Sequence, residues 1–319
     1  MQVITNRSLA LWLWRLPLFL FAAVLVTSVV AVSYANRPAA TGTTAATTGT
    51  FRALLIGVED FTPDGAGGFD LAFPCADVTD VSARLVAAYN ISAANIATAK
   101  SCVAAASDLG ATSRAGILGS LAALVATSGP NDDVLVYVSG HGTTVFDTFN
   151  ASGASDGDRE RVDNAILTSD NGVILDGELA SILAADNAAR VIVVLDISFP
   201  SGFIDDFRAA FSAATAPELL FVAAARGEAS ETAVLRNGVF TYWFSNSSAI
   251  GGLPGPAFAN DDGDGFVNAD DLDQNPHANE DGFVTLEEIY DFLMHLRVPF
   301  GLLQRPNILD LTTNDVLPD

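Results

Sequence analysis

Short, nearly continuous runs of apolar residues recur along this chain, separated by segments of helical periodicity. The runs at 51–58, 134–138 and 191–195 are rich in valine, leucine and isoleucine. Such runs are typical of strands that are buried on both faces of a parallel sheet. Less extended runs at 95–100 and 218–225 predict two further strands.

Between these strands, apolar residues recur every three or four positions, which predicts helices over 77–89, 113–126 and 177–186. Thr112 and Asp176 are positioned to cap the second and third of these helices. Because strands alternate with helices, the sequence predicts an α/β fold with a mostly parallel central sheet flanked by helices.

Two of the buried strands end in polar residues and glycine. The sequence Ser-Gly-His-Gly at 139–142 follows one strand, and Asp-Ile-Ser at 196–198 follows the next. In open α/β sheets, ligands and catalytic groups lie beyond the carboxyl ends of the strands. These two strand ends therefore predict the two walls of a cleft.

These motifs, in this order and spacing, resemble the caspase-like cysteine peptidases, in particular the metacaspase and bacterial caspase-like branch. The resemblance runs from about residue 51 to about residue 297 and predicts a caspase-like domain over 51–300, with a C-terminal tail over 301–319. It implies that His141 is the general acid and base and that Ser198 occupies the position of the nucleophile. The family has cysteine where this chain has Ser198.

In the metacaspase branch, an acidic pocket selects arginine or lysine, and the resemblance assigns that pocket to Asp80, Ser139 and Asp196. Two carboxylates at a strand end suit a guanidinium group. The chain is therefore predicted to be a peptidase domain specific for basic residues.

A serine hydroxyl is a much poorer nucleophile than a thiol unless a base activates it, so the predicted peptidase is impaired or inactive at Ser198. The alternative hypothesis is an exported, calcium-binding pseudo-peptidase that binds basic peptides or acts as an interaction module. A third hypothesis is a calcium-dependent structural protein in which the cleft has no role.

Two acidic loops within 259–291 follow the pattern of EF-hand calcium loops. In the first loop, the oxygen ligands fall on alternate positions before a glycine-centred turn, and an acid closes the loop. The second loop has the later ligand positions but begins with histidine. The predicted calcium ligands are Asn260, Asp262, Asp264, Phe266 (through its carbonyl), Asp271, Asn279, Asp281 and Glu288.

The first 35 residues contain an uncharged apolar stretch that fits either a signal peptide or an uncleaved membrane anchor. A linker rich in threonine and alanine follows over 36–50. The sequence thus predicts an exported protein, whether extracellular, periplasmic or anchored in a membrane and facing outward.

The net charge of −23 argues against nucleic acid and anionic membrane surfaces as partners. This charge suits a basic peptide or protein, or a divalent metal.

The chain has two cysteines, Cys75 and Cys102. An even number of cysteines in an exported protein favours a disulfide. If the first two strands are neighbours, as the resemblance implies, both cysteines lie at the same sheet edge, where they can form one.

Overall fold

A mostly parallel sheet of six strands forms the centre of the protein. The predicted α/β fold is therefore confirmed. Within the part of the chain that is described, no helix is long and apolar enough to cross a membrane. The computed structural model describes residues 49–61, 70–103, 109–146, 162–225, 229, 231–232, 235–245, 289–290 and 306–312.

The strands of the described residues are numbered in chain order. They are β1 (Phe51–Val58), β2 (Ile96–Ser101), β3 (Asp133–Ser139), β4 (Gly142–Phe146), β5 (Val162–Leu167), β6 (Val173–Leu175), β7 (Arg190–Asp196), β8 (Glu218–Ala223), β9 (Glu231–Thr232), β10 (Asn237–Gly238) and β11 (Asn307–Asp310). The helices are α1 (Pro74–Tyr89), α2 (Arg114–Thr127), α3 (Asp176–Ala184), α4 (Phe203–Ala210) and α5 (Val239–Ser245), and 3-10 turns lie at Ala93–Asn95 and Pro200–Gly202.

The central sheet has the strand order β11-β8-β7-β3-β1-β2. All neighbours are parallel except β11, which pairs antiparallel with β8. Two small antiparallel sheets, β4-β5-β6 and β9-β10, accompany it. The sequence did not predict these small sheets because their strands are short and only partly apolar.

Successive residues of the central strands face opposite sides of the sheet, and each side carries its own hydrophobic core. Val134, Val136 and Val138 of β3 face the core formed with α2, α3 and α4. Leu135 and Tyr137 face the core formed with α1 and α5. The molecule therefore has three layers, and β3 is buried on both faces as its apolar run predicts.

Two helix caps differ from the sequence-based prediction. The N-cap of α2 is Ser113, whose hydroxyl accepts a hydrogen bond from the Gly116 amide, whereas Thr112 is fully buried. Asp176 is the first residue of α3, and its carboxylate accepts a hydrogen bond from the Asn164 amide on the neighbouring strand. Tertiary contacts thus decide where these helices begin.

The entrance of α1 is held by residues distant in sequence. A disulfide joins Cys75, in the first turn of α1, to Cys102, just beyond β2. The buried Glu59 accepts hydrogen bonds from the amides of Cys75 and Val103, at 3.2 and 3.1 Å. Burial raises the pKa of Glu59. The carboxylate and the disulfide together fix the start of α1 at the carboxyl end of the sheet.

Residues 307–310 belong to the predicted C-terminal tail, and they form the edge strand β11. Leu309 of this strand is buried against β8. A strand of four residues with polar ends gives too short a pattern to be recognised in sequence.

We expect replacement of both cysteines by serine (Cys75→Ser/Cys102→Ser) to lower the free energy of unfolding by about 2–4 kcal/mol, because the disulfide constrains the unfolded chain. Chemical denaturation of the oxidised wild-type protein and the double variant measures this difference. A reducing agent should destabilise the wild-type protein and leave the variant unchanged. Equal stability of the two proteins would contradict the prediction.

Candidate active site

The carboxyl ends of β3 and β7 lie side by side and form the centre of the candidate site. Ser139 is opposite Asp196 in the parallel register, and the Gly140 amide donates a hydrogen bond to the Asp196 carbonyl, at 3.3 Å. The loops that follow both strands therefore begin at the same edge of the sheet, as the sequence predicts.

Asp196 is buried on the side of the sheet that faces α1 and α5, because it continues the face of Ile192 and Val194. One of its carboxylate oxygens accepts hydrogen bonds from the amide and the hydroxyl of Thr241 in α5, at 3.2 and 2.6 Å. The Thr241 hydroxyl in turn contacts the buried hydroxyl of Tyr137. A continuous polar chain thus runs from Tyr137 to Asp196 inside an otherwise apolar layer.

Asp77, in α1, is the second buried carboxylate of the site. It accepts hydrogen bonds from the Ser139 hydroxyl at 2.7 Å, the Asn237 side-chain amide at 3.0 Å and the Gly238 amide at 2.9 Å. These donors come from β3 and β10, so Asp77 joins α1 to both sheets.

Gly238 separates the two carboxylates. A methyl group placed on Gly238 would lie 2.4 Å from an oxygen of Asp196 and 3.1 Å from an oxygen of Asp77. Both acids therefore pack closely against the backbone of Gly238, and any side chain at that position would collide with the Asp196 carboxylate.

The two acids have raised pKa values. Burial, and then the charge of Asp77, raise the pKa of Asp196 to about 7. Burial likewise raises the pKa of Asp77 to about 6, although its three hydrogen bonds oppose the shift. A buried pair of like charges holds a proton more tightly than either acid alone. The pair is therefore poised to exchange a proton near neutral pH.

The structure places Asp77, and not the predicted Asp80, between Ser139 and Gly238. Asp80 lies on the exposed flank of α1, where it accepts a hydrogen bond from Asn237 at 2.9 Å. Asp77 precedes Val81 by one helical turn and so shares the buried face of α1 with it. The apolar periodicity predicts that this helix begins at residue 77, whereas α1 begins at Pro74.

His141 and Ser198 lie in loops that touch each other. A methyl group placed on Gly142 would lie 1.8 Å from the backbone carbonyl oxygen of Ser198, so only glycine allows this close approach. The His141 ring packs against the ring of Phe61, with 5.1 Å between ring centroids. The two predicted catalytic positions are therefore brought together.

Ser198 lies in a sharp turn between β7 and α4. Phe199, the next residue, has a left-handed backbone with a φ of 60° and is partly exposed. A positive φ is uncommon for a bulky residue, and such conformations cluster at functional sites. The Ser198 hydroxyl oxygen accepts a hydrogen bond from the Ala229 amide, at 3.1 Å.

The eight predicted calcium ligands, from Asn260 to Glu288, lie outside the described residues. Within the described ranges, no group of three or more histidine, cysteine or acidic side chains is arranged to hold a metal ion. Calcium binding stays a prediction from the sequence.

One family of known proteins matches the part of the chain that contains these loops. Residues 51–206 match the family model of the metacaspase, peptidase C14 domain. This part of the chain belongs to the caspase-like family. The match includes both His141 and Ser198, and the region is a caspase-like peptidase domain.

The crystal structure of protein GSU0716 from Geobacter sulfurreducens is also similar to the chain. It is 21% identical, with a TM-score of 0.44, and the alignment covers 61% of this chain and 80% of that chain. No curated protein matches the chain.

Three polar groups of the caspase-like site had no predicted role, namely Asp77, Asn237 and Thr241. Gly238 and Thr241 belong to the sequence Gly-Val-Phe-Thr, which contains no charged side chain. Only the fold shows that it supplies the hydrogen bonds to Asp77 and Asp196. Asp77 could have been found from its helical spacing to Val81 and Leu85, which are both buried.

We expect the free energy of unfolding to contain a component that falls as pH rises from about 4 to about 7, because the folded state retains protons that the unfolded acids have released. Asp196→Asn removes the titration while leaving an oxygen to accept from Thr241. The stability of this variant relative to the wild-type protein should therefore increase with pH over this range, by an amount on the order of 1 kcal/mol or more.

Denaturation at a series of pH values measures that difference. Asp205→Asn, at an exposed position, serves as the matched control. A difference between Asp196→Asn and wild type that stays constant across the range would contradict a raised pKa for Asp196.

Proposed function

We propose that the caspase-like domain binds peptides through an arginine or lysine side chain and that Ser198 makes their hydrolysis slow. The observation that carries the proposal is the pair of buried carboxylates, Asp77 and Asp196, that both lie against Gly238. Asp196 lies at the same sheet edge as the loops of His141 and Ser198.

A cationic side chain relieves the repulsion between these acids. A guanidinium group presents several donors in a plane, and it can bind two carboxylates that already sit close together. The buried location strengthens each ion pair because little water screens it. The pocket therefore favours arginine or lysine over a neutral residue.

Hydrolysis at this site requires the Ser198 oxygen to attack a peptide carbonyl while His141 takes its proton. The Oγ–C bond forms, the C–N bond breaks, and His141 returns the proton to the leaving amine. Water then releases the acyl group. At neutral pH a hydroxyl holds its proton far more tightly than a thiol does, and the Ala229 amide engages one of the Ser198 lone pairs. Both effects oppose attack.

Calcium and export remain part of the proposal. The acidic loops within 259–291 are proposed to bind calcium on the basis of their ligand pattern. The Cys75–Cys102 disulfide supports an oxidising compartment such as the periplasm or the extracellular space. A peptide ligand with basic residues also suits the acidic composition of the chain.

The full-length chain should bind Arg- and Lys-terminated fluorogenic peptides and release little fluorophore, whereas Ser198→Cys should release it faster by a factor on the order of 100 or more. Each protein is assayed with calcium and with a chelator, and Ser212→Cys is the matched surface control. Equal turnover by the wild-type protein and Ser198→Cys would show that Ser198 is not what makes hydrolysis slow.

If neither protein binds or cleaves basic peptides, the pocket is not a receptor for basic side chains. A calcium effect on turnover would support the calcium part of the proposal, and equal rates in chelator would contradict it.

Gly238→Ala should weaken binding of an arginine peptide at least tenfold, because the added methyl group displaces the Asp196 carboxylate from Thr241. Gly119→Ala is the matched control, since a methyl group there meets no atom within 4 Å. Fluorescence anisotropy with a labelled peptide measures both affinities. Unchanged affinity in Gly238→Ala, with the fold retained, would place the binding site elsewhere.

A further inference from the structure

The Ser198 hydroxyl accepts a hydrogen bond that a cysteine thiol at the same position would accept only weakly. Its oxygen accepts the Ala229 amide at 3.1 Å, and the residue is only partly exposed. Oxygen is a good hydrogen-bond acceptor, whereas a thiol sulfur is a weak one. The exchange of cysteine for serine therefore strengthens this contact at the same position at which it weakens nucleophilic attack.

Two residues after Ala229, Glu231 binds the entrance of α1. Its carboxylate oxygens accept the Ala72 amide at 3.0 and 3.2 Å and the Phe73 amide at 3.2 Å. Negative charge at the first turn of a helix is stabilised by the free amides there. Asp77 lies in this first turn.

Glu231 and Thr232 also pair with β10. Glu231 is opposite Gly238, the residue between the two buried acids, and Thr232 is opposite Asn237, which binds Asp77. We call Ala229, Glu231 and Thr232 the strap. The strap is thus held at Ser198, at the start of α1 and along β10, and it spans the distance from the nucleophile position to the pocket.

The charge of Glu231 reaches the pocket. It contributes to the raised pKa values of both Asp77 and Asp196, after burial and their nearer partners. Glu231 is itself exposed, so its carboxylate is open to a ligand from solvent. A peptide that places one basic residue beside the buried acids has a further negative charge nearby, that of Glu231 opposite Gly238.

We infer that Ser198 is a positioning residue, whose hydroxyl holds the strap so that Glu231 forms a second subsite for a basic residue. The ligand is then a peptide with two neighbouring basic residues, such as Lys-Arg. This inference rests on the proposed function, because the first basic residue occupies the Asp77/Asp196 pocket. It differs from that function in assigning a role to Ser198 that needs no catalysis.

The first test is amide hydrogen exchange at Ala229, followed by NMR on the full-length protein without ligand. Loss of one hydrogen bond in Ser198→Ala should speed exchange at Ala229 about 3- to 10-fold. Ser198→Thr, which restores the hydroxyl, should return exchange toward the wild-type rate, and Ser198→Cys should give an intermediate rate. Ser212→Ala, at an exposed serine, should leave exchange at Ala229 unchanged.

The second test compares the affinities for peptides that end in Lys-Arg and in Ala-Arg. The wild-type protein should prefer the dibasic peptide about tenfold, and both Ser198→Ala and Glu231→Gln should reduce that preference to about twofold or less. Glu231→Gln removes the charge and keeps one of the two oxygens that accept from the Ala72 and Phe73 amides. Ser198→Thr should restore the preference.

The outcomes separate the two proposals. If Ala229 exchange is the same in Ser198→Ala and the wild-type protein, Ser198 does not hold the strap and the inference fails. If exchange responds but the dibasic preference is absent or survives Glu231→Gln, the second subsite is wrong. If neither peptide binds while exchange still responds, the proposed function fails, and with it the ligand assigned to Glu231.

Discussion

The parallel pairing of β3 with β7 determines the position of each group in the candidate site. Both strands are buried on two faces, so their register is set by hydrophobic packing against two layers of helices. That register places Ser139 opposite Asp196. A shift of one residue would turn Asp196 to the opposite face of the sheet, away from Asp77 and Thr241. Packing in the core therefore enforces the geometry of the polar site.

Burying two carboxylates together is costly, and the protein supports them with donors from three separate elements. Ser139, Gly238 and Thr241 bind the acids from β3, β10 and α5. At neutral pH the pair retains part of a proton that separate acids would release. A positive charge placed beside the pair would favour release of that proton. Buried carboxyl groups with strongly shifted pKa values are typical of functional sites.

The sequence was most informative where burial produces a long, regular pattern. The runs at 51–58, 134–138 and 191–195 predicted strands of the central sheet, and the motifs at their ends predicted the neighbouring loops of His141 and Ser198. Asp77 was missed because its burial depends on the phase of α1, and the Cys75–Cys102 bond and long-range contacts to Glu59 and Glu231 fix where that helix begins. The role of Asp80 in binding a substrate stays a prediction.

The last strand of the sheet has a consequence for how the chain is made. β8 is complete at Ala223, yet its outer edge is covered by β11, whose residues begin at Asn307. Because synthesis proceeds from the amino end, this edge stays open until residues 307–310 have left the ribosome. An exposed strand edge invites pairing with other chains. The nascent protein therefore needs either rapid completion of synthesis or a chaperone while the outer edge of β8 is unpaired.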